Sequence, residues 1–153
     1  MEIDGATLGV YLRELASGYE RALDRFDDDT VNRKPHGEHT NSGAVIVTHA
    51  WASARYWIDH VGLGRPSDRV RDEEFVAVAT VAELKALVRA RAQHLVESVR
   101  HFDHGLTGNP HQDRCELPEG DGSDGSIVIH AFEELFQHLG HLELTADALT
   151  APR

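Results

Sequence analysis

Apolar residues recur at intervals of three and four along four stretches of the chain, with polar residues between them. This spacing places apolar side chains on one face of an α-helix, whereas a strand would alternate apolar and polar residues. We predict helices from about Asp4 to Asp27, Gly43 to His60, Thr80 to Asp103 and Gly125 to Leu149. Because their apolar faces need a common core, the pattern predicts an all-α protein, a single four-helix bundle over residues 1–153.

Residues that favour helix caps precede three of these stretches. A side-chain oxygen at this point accepts a hydrogen bond from a backbone N–H that has no partner inside the helix. Residues 68–74 are charged and residues 106–122 show no sustained period, so both segments are predicted as connections. The predicted caps are Asn41 or Ser42 for the second helix, a capping box of Thr80 with Glu83 for the third, and Ser123 or Asp124 for the fourth.

Composition and charge narrow the function classes. The net charge of −11 repels phosphate backbones, which argues against a nucleic-acid partner. No segment approaches the roughly 20 consecutive apolar residues of a membrane span. The acidic start of the chain lacks the basic and apolar regions of a secretory signal, so we expect a cytoplasmic protein. The single cysteine, Cys115, cannot form an internal disulfide.

The fourth predicted helix carries His130, Glu134, His138 and His141, each three or four positions from the next. Side chains at this spacing lie about 5 to 6 Å apart on one helix face, so two adjacent members can bind one ion. The outer two are separated by more than about ten Å, so a third ligand must come from another helix. His49 is the best-placed candidate because it lies in the middle of the second helix among apolar residues.

The same residues allow a simpler interpretation. A histidine between apolar residues is more often a core or half-exposed residue than a ligand, and a Glu-His pair on a helix face is usually solvated. Helical spacing alone therefore leaves both a metal site and an ordinary helix surface open.

Two segments resemble DinB-like proteins. Residues 41–51, Asn-Ser-Gly-Ala-Val-Ile-Val-Thr-His-Ala-Trp, resemble the start of the second helix of that superfamily. Residues 134–141, Glu-Leu-Phe-Gln-His-Leu-Gly-His, resemble its fourth-helix motif. The similarity extends over nearly the whole chain through the lead-in at residues 29–35 and the aromatic pair Tyr56 and Trp57. The resemblance implies a DinB-like four-helix bundle with a metal site.

In this superfamily the usual ligands are one histidine of the second helix and a His-x-x-x-His pair of the last. Here Glu134 stands first in that pair, and the resulting Glu-x-x-x-His pattern is similar to that of the N-terminal domain of mycothiol-dependent maleylpyruvate isomerases. The resemblance implies that His49, Glu134 and His138 are the metal ligands. The resemblance places His141 beside these ligands, in the wall of the pocket, where we predict a catalytic role. It leaves His130 either near the site or on the surface.

Two neutral imidazoles and one carboxylate would leave a net charge of +1 on a divalent ion, with coordination positions open for water or substrate. Zinc suits this ligand set, and nickel or iron(II) also fits it. We expect the ion to activate a low-molecular-weight thiol such as mycothiol or bacillithiol for S-transfer to a small electrophile or for thiol-assisted isomerisation. The alternatives are a metal-binding stress-type protein without turnover and a metal-dependent hydrolase. A homodimer is implied by the resemblance alone.

Overall fold

The computed structural model describes residues 3–104 and 124–150, and the regular elements in these two ranges are all helical. This confirms the predicted all-α class for the described part of the chain. Short 3-10 turns occupy Thr30–Asn32, Gly37–His39 and Arg100–His104. The α-helices are α1 (Gly5–Leu23), α2 (Gly43–Arg55), α3 (Arg71–Glu74), α4 (Val81–Val99) and α5 (Asp124–Thr150).

The four long helices pack in a closed ring. Helix α1 contacts α4 and α5, and α2 contacts the same two helices from the other side. Their apolar stripes meet in one core whose largest fully buried side chains include Trp51, Trp57 and Tyr19. Helix α1 approaches α5 closely at Gly18, where an added Cβ would lie 2.7 Å from a methyl group of Leu139. This packing is compatible with the predicted four-helix bundle.

The starts of α2 and α4 follow the predicted caps. Ser42 accepts a hydrogen bond from the backbone N–H of Val45 at 3.3 Å and caps α2. Thr80 and Glu83 form the predicted capping box of α4. For the last helix, residue 123 lies outside the described ranges and helical structure begins at Asp124.

The ends of α1 and α2 depart from the predicted boundaries. Helix α1 ends at Leu23, four residues before the predicted Asp27, and tighter turns follow it. Helix α2 ends at Arg55, and the chain continues to Gly62 as a π-helix, with hydrogen bonds one residue longer than in an α-helix. Gly64 then adopts a φ of 67°, in the left-handed region where glycine is favoured.

The predicted connection at residues 68–74 is partly wrong, because its last four residues form α3. This turn carries Glu74, which is buried although its neighbours Asp72 and Glu73 are exposed. The predicted connection at residues 106–122, including Cys115, lies outside the described residues. Of the helices that the structure describes, none has the length and apolar character needed to cross a bilayer.

Candidate metal centre

Helices α2 and α5 bring the three predicted ligands together. His49 lies in the middle of α2, and Glu134 and His138 lie one turn apart on the facing part of α5. One potential ligand atom from each residue lies within 4.8 Å of the other two. The Nε2 atoms of His49 and His138 are each 3.7 Å from Oε2 of Glu134. The predicted residues therefore form a cluster that could hold a metal ion.

The spacing fits a single ion. Histidine and carboxylate ligands lie about 2.0 to 2.2 Å from zinc, so two of them at a tetrahedral angle are about 3.4 Å apart. The observed nitrogen–oxygen separations of 3.7 Å are close to this value. The side chains of His49, Glu134 and His138 are 12%, 21% and 21% exposed, so the cluster is not sealed from solvent. A cluster that is not sealed is one that a further ligand could reach from solvent.

Glu134 supplies a negative charge to the cluster. Interaction with the His138 ring lowers the pKa of Glu134 to about 2, with further contributions from Ser53 and His49 and with burial acting in the opposite direction. The carboxylate is therefore ionised at neutral pH and can only accept hydrogen bonds or bind a cation.

A second carboxylate, Glu74 of α3, orients His49 from outside the cluster. Oε2 of Glu74 lies 2.8 Å from Nδ1 of His49. The guanidinium of Arg69 donates to both oxygens of Glu74, from Nε at 2.6 Å and from Nη2 at 2.9 Å. Burial raises the pKa of Glu74, but the hydrogen bonds from Arg69 and His49 outweigh it and the net pKa is lowered. Glu74 was not among the residues singled out in the sequence.

The ionised Glu74 determines which nitrogen of His49 faces the cluster. Because this carboxylate can only accept, Nδ1 of His49 must carry the proton of their hydrogen bond. With Nδ1 protonated, Nε2 is the nitrogen that faces the Glu134 carboxylate, 3.7 Å away. A lone pair on Nε2 and the carboxylate oxygen would repel each other at this distance unless a cation, a metal ion or a proton, lies between them. A carboxylate on the outer nitrogen is also the arrangement that commonly orients metal-binding histidines.

His138 lacks a comparable anchor. Its Nδ1 is buried and has no hydrogen-bond partner among the described residues. Its ring is held by packing instead, edge-on to His49 with ring centroids 5.0 Å apart. Of the two histidines, His49 is therefore the more firmly oriented by hydrogen bonds.

Aromatic side chains flank the cluster. The ring of Phe75, the residue after α3, lies 5.0 Å from the His49 ring and is itself partly exposed. On the core side, the hydroxyl of Tyr19 donates to the backbone carbonyl of Leu135 at 2.8 Å, which fixes α1 against the ligand-bearing turn of α5. Burial, and then the nearby charge of Glu134, raise the pKa of the Tyr19 hydroxyl, so it remains a neutral donor.

The other two histidines of α5 have different surroundings. His141 is exposed, and its ring stacks beside that of His138 with centroids 6.2 Å apart. Burial and the neighbouring His138 lower the pKa of His141. His130 is not a surface residue, because its ring packs against Trp57 at 4.5 Å and its side chain is 15% exposed. Neither residue belongs to the three-residue cluster found in the described part of the chain.

The sequence matches no family model, no curated protein and no solved structure. The DinB-like resemblance therefore depends on the motifs themselves, and the metal cluster depends on the geometry of this chain.

Proposed function

We propose that this protein is a DinB-like metalloenzyme that uses a low-molecular-weight thiol, such as mycothiol or bacillithiol, for S-transfer to a small electrophile or for thiol-assisted isomerisation. The observation that carries the proposal is the convergence of His49, Glu134 and His138 within 4.8 Å in a partly open cluster. The resemblance of the Glu-x-x-x-His pattern to thiol-dependent isomerases supports the choice of substrate class.

The ligand set favours a divalent ion with catalytic rather than purely structural chemistry. His49 and His138 contribute neutral imidazoles and Glu134 one negative charge, so three protein ligands hold the ion and leave it a net positive charge. When bound, zinc would supply the Lewis acidity that makes a thiol ionise near neutral pH. Nickel and iron(II) are the other ions that this set accommodates.

His141 is the residue to which we assign proton transfer. It lies next to the ligand His138, at the exposed edge of the cluster, and its lowered pKa favours the neutral, proton-accepting ring. The imidazole takes the thiol proton, and the sulfur electron pair forms a bond to the electrophilic carbon. The bond from that carbon to its leaving group, such as a halide, breaks, and the group departs as an anion with those electrons. A protein cysteine is not needed as the nucleophile, which agrees with the position of the single cysteine, Cys115, outside the ligand motifs.

The test combines zinc-loaded protein with each thiol and a chromogenic aryl halide, and follows the absorbance of the thioether product. We expect a rate that depends on both thiol and metal, and that falls in His141→Ala while metal content is unchanged. No rate above the metal-free control with any thiol would reject the proposed activity. The same preparations assayed with chromogenic esters would then separate a hydrolase from a metal-binding protein without turnover.

A further inference from the structure

A cavity of about 330 Å³ lies beside the metal cluster, between α2, α4 and the segment that leads to α3. It shares Glu74 with the hydrogen-bond chain that orients His49. Three arginines, Arg55, Arg69 and Arg91, line it together with the ring of Tyr56. A cavity of this volume is at the lower end of the range of small-molecule sites.

Four carboxylates line the cavity, and three of them already have a cationic partner. These pairs are Glu74 with Arg69, Asp59 with Arg65, and Asp68 with Arg55, at nitrogen–oxygen distances of 2.6, 2.7 and 2.9 Å. The fourth carboxylate, Glu73, is exposed at the rim of the cavity.

Arg91 has no such partner. Among the described residues it makes no hydrogen bond or ion pair, although its side chain is partly buried in the cavity wall. Burial lowers the pKa of Arg91, and the positive charge of nearby Arg55 lowers it further, while the negative charges of Asp68 and Asp59 act in the opposite direction. Two neighbouring guanidinium groups repel each other, and the donors of Arg91 are not used by any described residue. An anion placed between the two arginines would reduce this repulsion and accept hydrogen bonds from Arg91.

We propose that this cavity binds a small organic anion whose carboxylate or phosphate group lies between Arg91 and Arg55. Guanidinium groups present planar pairs of N–H donors that match both groups in a bidentate geometry. Asp68 pairs with Arg55 from the solvent side of the cavity. Because the Asp68 side chain is 80% exposed, it can rotate into water when the anion binds. The ring of Tyr56 provides an aromatic wall for the remainder of the ligand. The site requires no metal ion.

The experiment titrates metal-free protein with inorganic phosphate and, separately, with succinate at low ionic strength, and follows arginine Nε–H and backbone amide shifts by NMR. We expect saturable binding of at least one probe. Binding should weaken at least tenfold in Arg91→Ala and in Arg55→Ala. The probe that binds more tightly identifies the phosphate or the carboxylate as the preferred group.

Arg89→Ala is the matched control, because Arg89 lies two residues away on α4, is exposed, and pairs with Glu20 of α1 instead of lining the cavity. It changes the net charge by the same amount and should leave binding within twofold of the wild type. Asp68→Asn removes the closer of the two carboxylates that contact Arg55 and should tighten binding, which keeps the test valid if either cavity variant folds poorly. Absence of saturable binding, or equal losses in Arg89→Ala and Arg91→Ala, would overturn the proposal.

Discussion

A single carboxylate that does not belong to the ligand cluster determines how one ligand is oriented. Glu74 holds the Nδ1 side of His49, so the Nε2 side faces Glu134 and His138. Arg69 holds Glu74 in turn through two hydrogen bonds. The affinity of the cluster for an ion should therefore depend on residues that never contact the ion.

Replacing Glu74 with Gln keeps the size of the side chain but removes the charge that pairs with Arg69 and fixes the proton on His49. We expect metal affinity to fall about 10-fold to 100-fold, as is typical when a residue that supports a metal ligand is lost. Competition with a chromophoric chelator measures the change. Glu73→Gln, at the adjacent exposed position, should bind metal like the wild type, and equal affinities for the two variants would contradict the role of Glu74.

The ligand assignment itself predicts which histidines are needed for metal content. His49→Ala and His138→Ala should each lose most of the bound metal, because two remaining ligands hold a divalent ion poorly. His130→Ala should keep its metal and show a lower Tm, because the change removes packing against Trp57 and the contact with Glu133 but none of the three ligands. Elemental analysis after gel filtration gives the metal content. Loss of metal in His130→Ala alone would show that the ion is held elsewhere on α5.

The residues of the cluster were predictable to different degrees. The proximity of Glu134 to His138 follows from helical spacing, and His49 was placed with them by its mid-helix position and the family resemblance. Glu74 could not be found this way, because its contact with His49 spans 25 positions in the sequence. Its neighbours Asp72 and Glu73 have the same local character, and only the tertiary fold buries one acid and exposes the other two.

At the scale of helices, starts were predicted better than ends. A cap depends on hydrogen bonds within about four residues, so Ser42 and Thr80 can be recognised from the sequence. The π-helical segment after α2 instead surrounds Asp59, which accepts hydrogen bonds from Arg65 and Ser98, both at 2.7 Å. Because Ser98 lies on another helix, the change from α-helix to π-helix could not be predicted from the residues next to Asp59 in the sequence.

The capping box of α4 gives a pH-dependent prediction. The backbone N–H of Thr80 donates to Glu83 at 2.8 Å, and this hydrogen bond lowers the pKa of that carboxyl in the folded protein. A lowered pKa means that Glu83 stabilises the fold above its ordinary pKa and that this contribution is lost as the pH falls through the lowered value. The difference in urea midpoint between wild type and Glu83→Gln should be largest at pH 7 and shrink below about pH 4.

Two further variants control for the cap itself. Thr80→Ala should cost about 1 kcal/mol in the free energy of unfolding, because it leaves a backbone donor of α4 without its partner. Thr80→Ser keeps the hydroxyl and should cost less. A midpoint difference for Glu83→Gln that stays constant with pH would show that the charge of Glu83 does not contribute to the cap.

For the whole molecule, the apolar core and the metal cluster are separable. The buried side chains of the four long helices pack against one another without the three ligands, as the four apolar stripes in the sequence predicted. Metal-free protein should therefore keep its helical circular dichroism. Adding zinc at 100 times its dissociation constant should stabilise the fold by about 2.7 kcal/mol by mass action, seen as a higher Tm.

His49→Ala is the control for this measurement, since it should show no Tm increase at the same zinc concentration. Loss of helical circular dichroism on metal removal would mean instead that the ion is required for folding, and that the core alone does not hold α2 against α5.

Helix α3 is only four residues long, and an isolated turn of this length is not stable in water. Its last residue, Glu74, connects it to His49, so the turn and the ion are thermodynamically coupled. Because such coupling is reciprocal, an ion that favours the oriented imidazole must also favour the ordered turn. The amides of Glu73 and Val76, which donate to carbonyls within this segment, should exchange with deuterium more slowly when zinc is bound. Glu74→Gln should abolish that difference, so exchange in this one turn reports metal occupancy from outside the cluster.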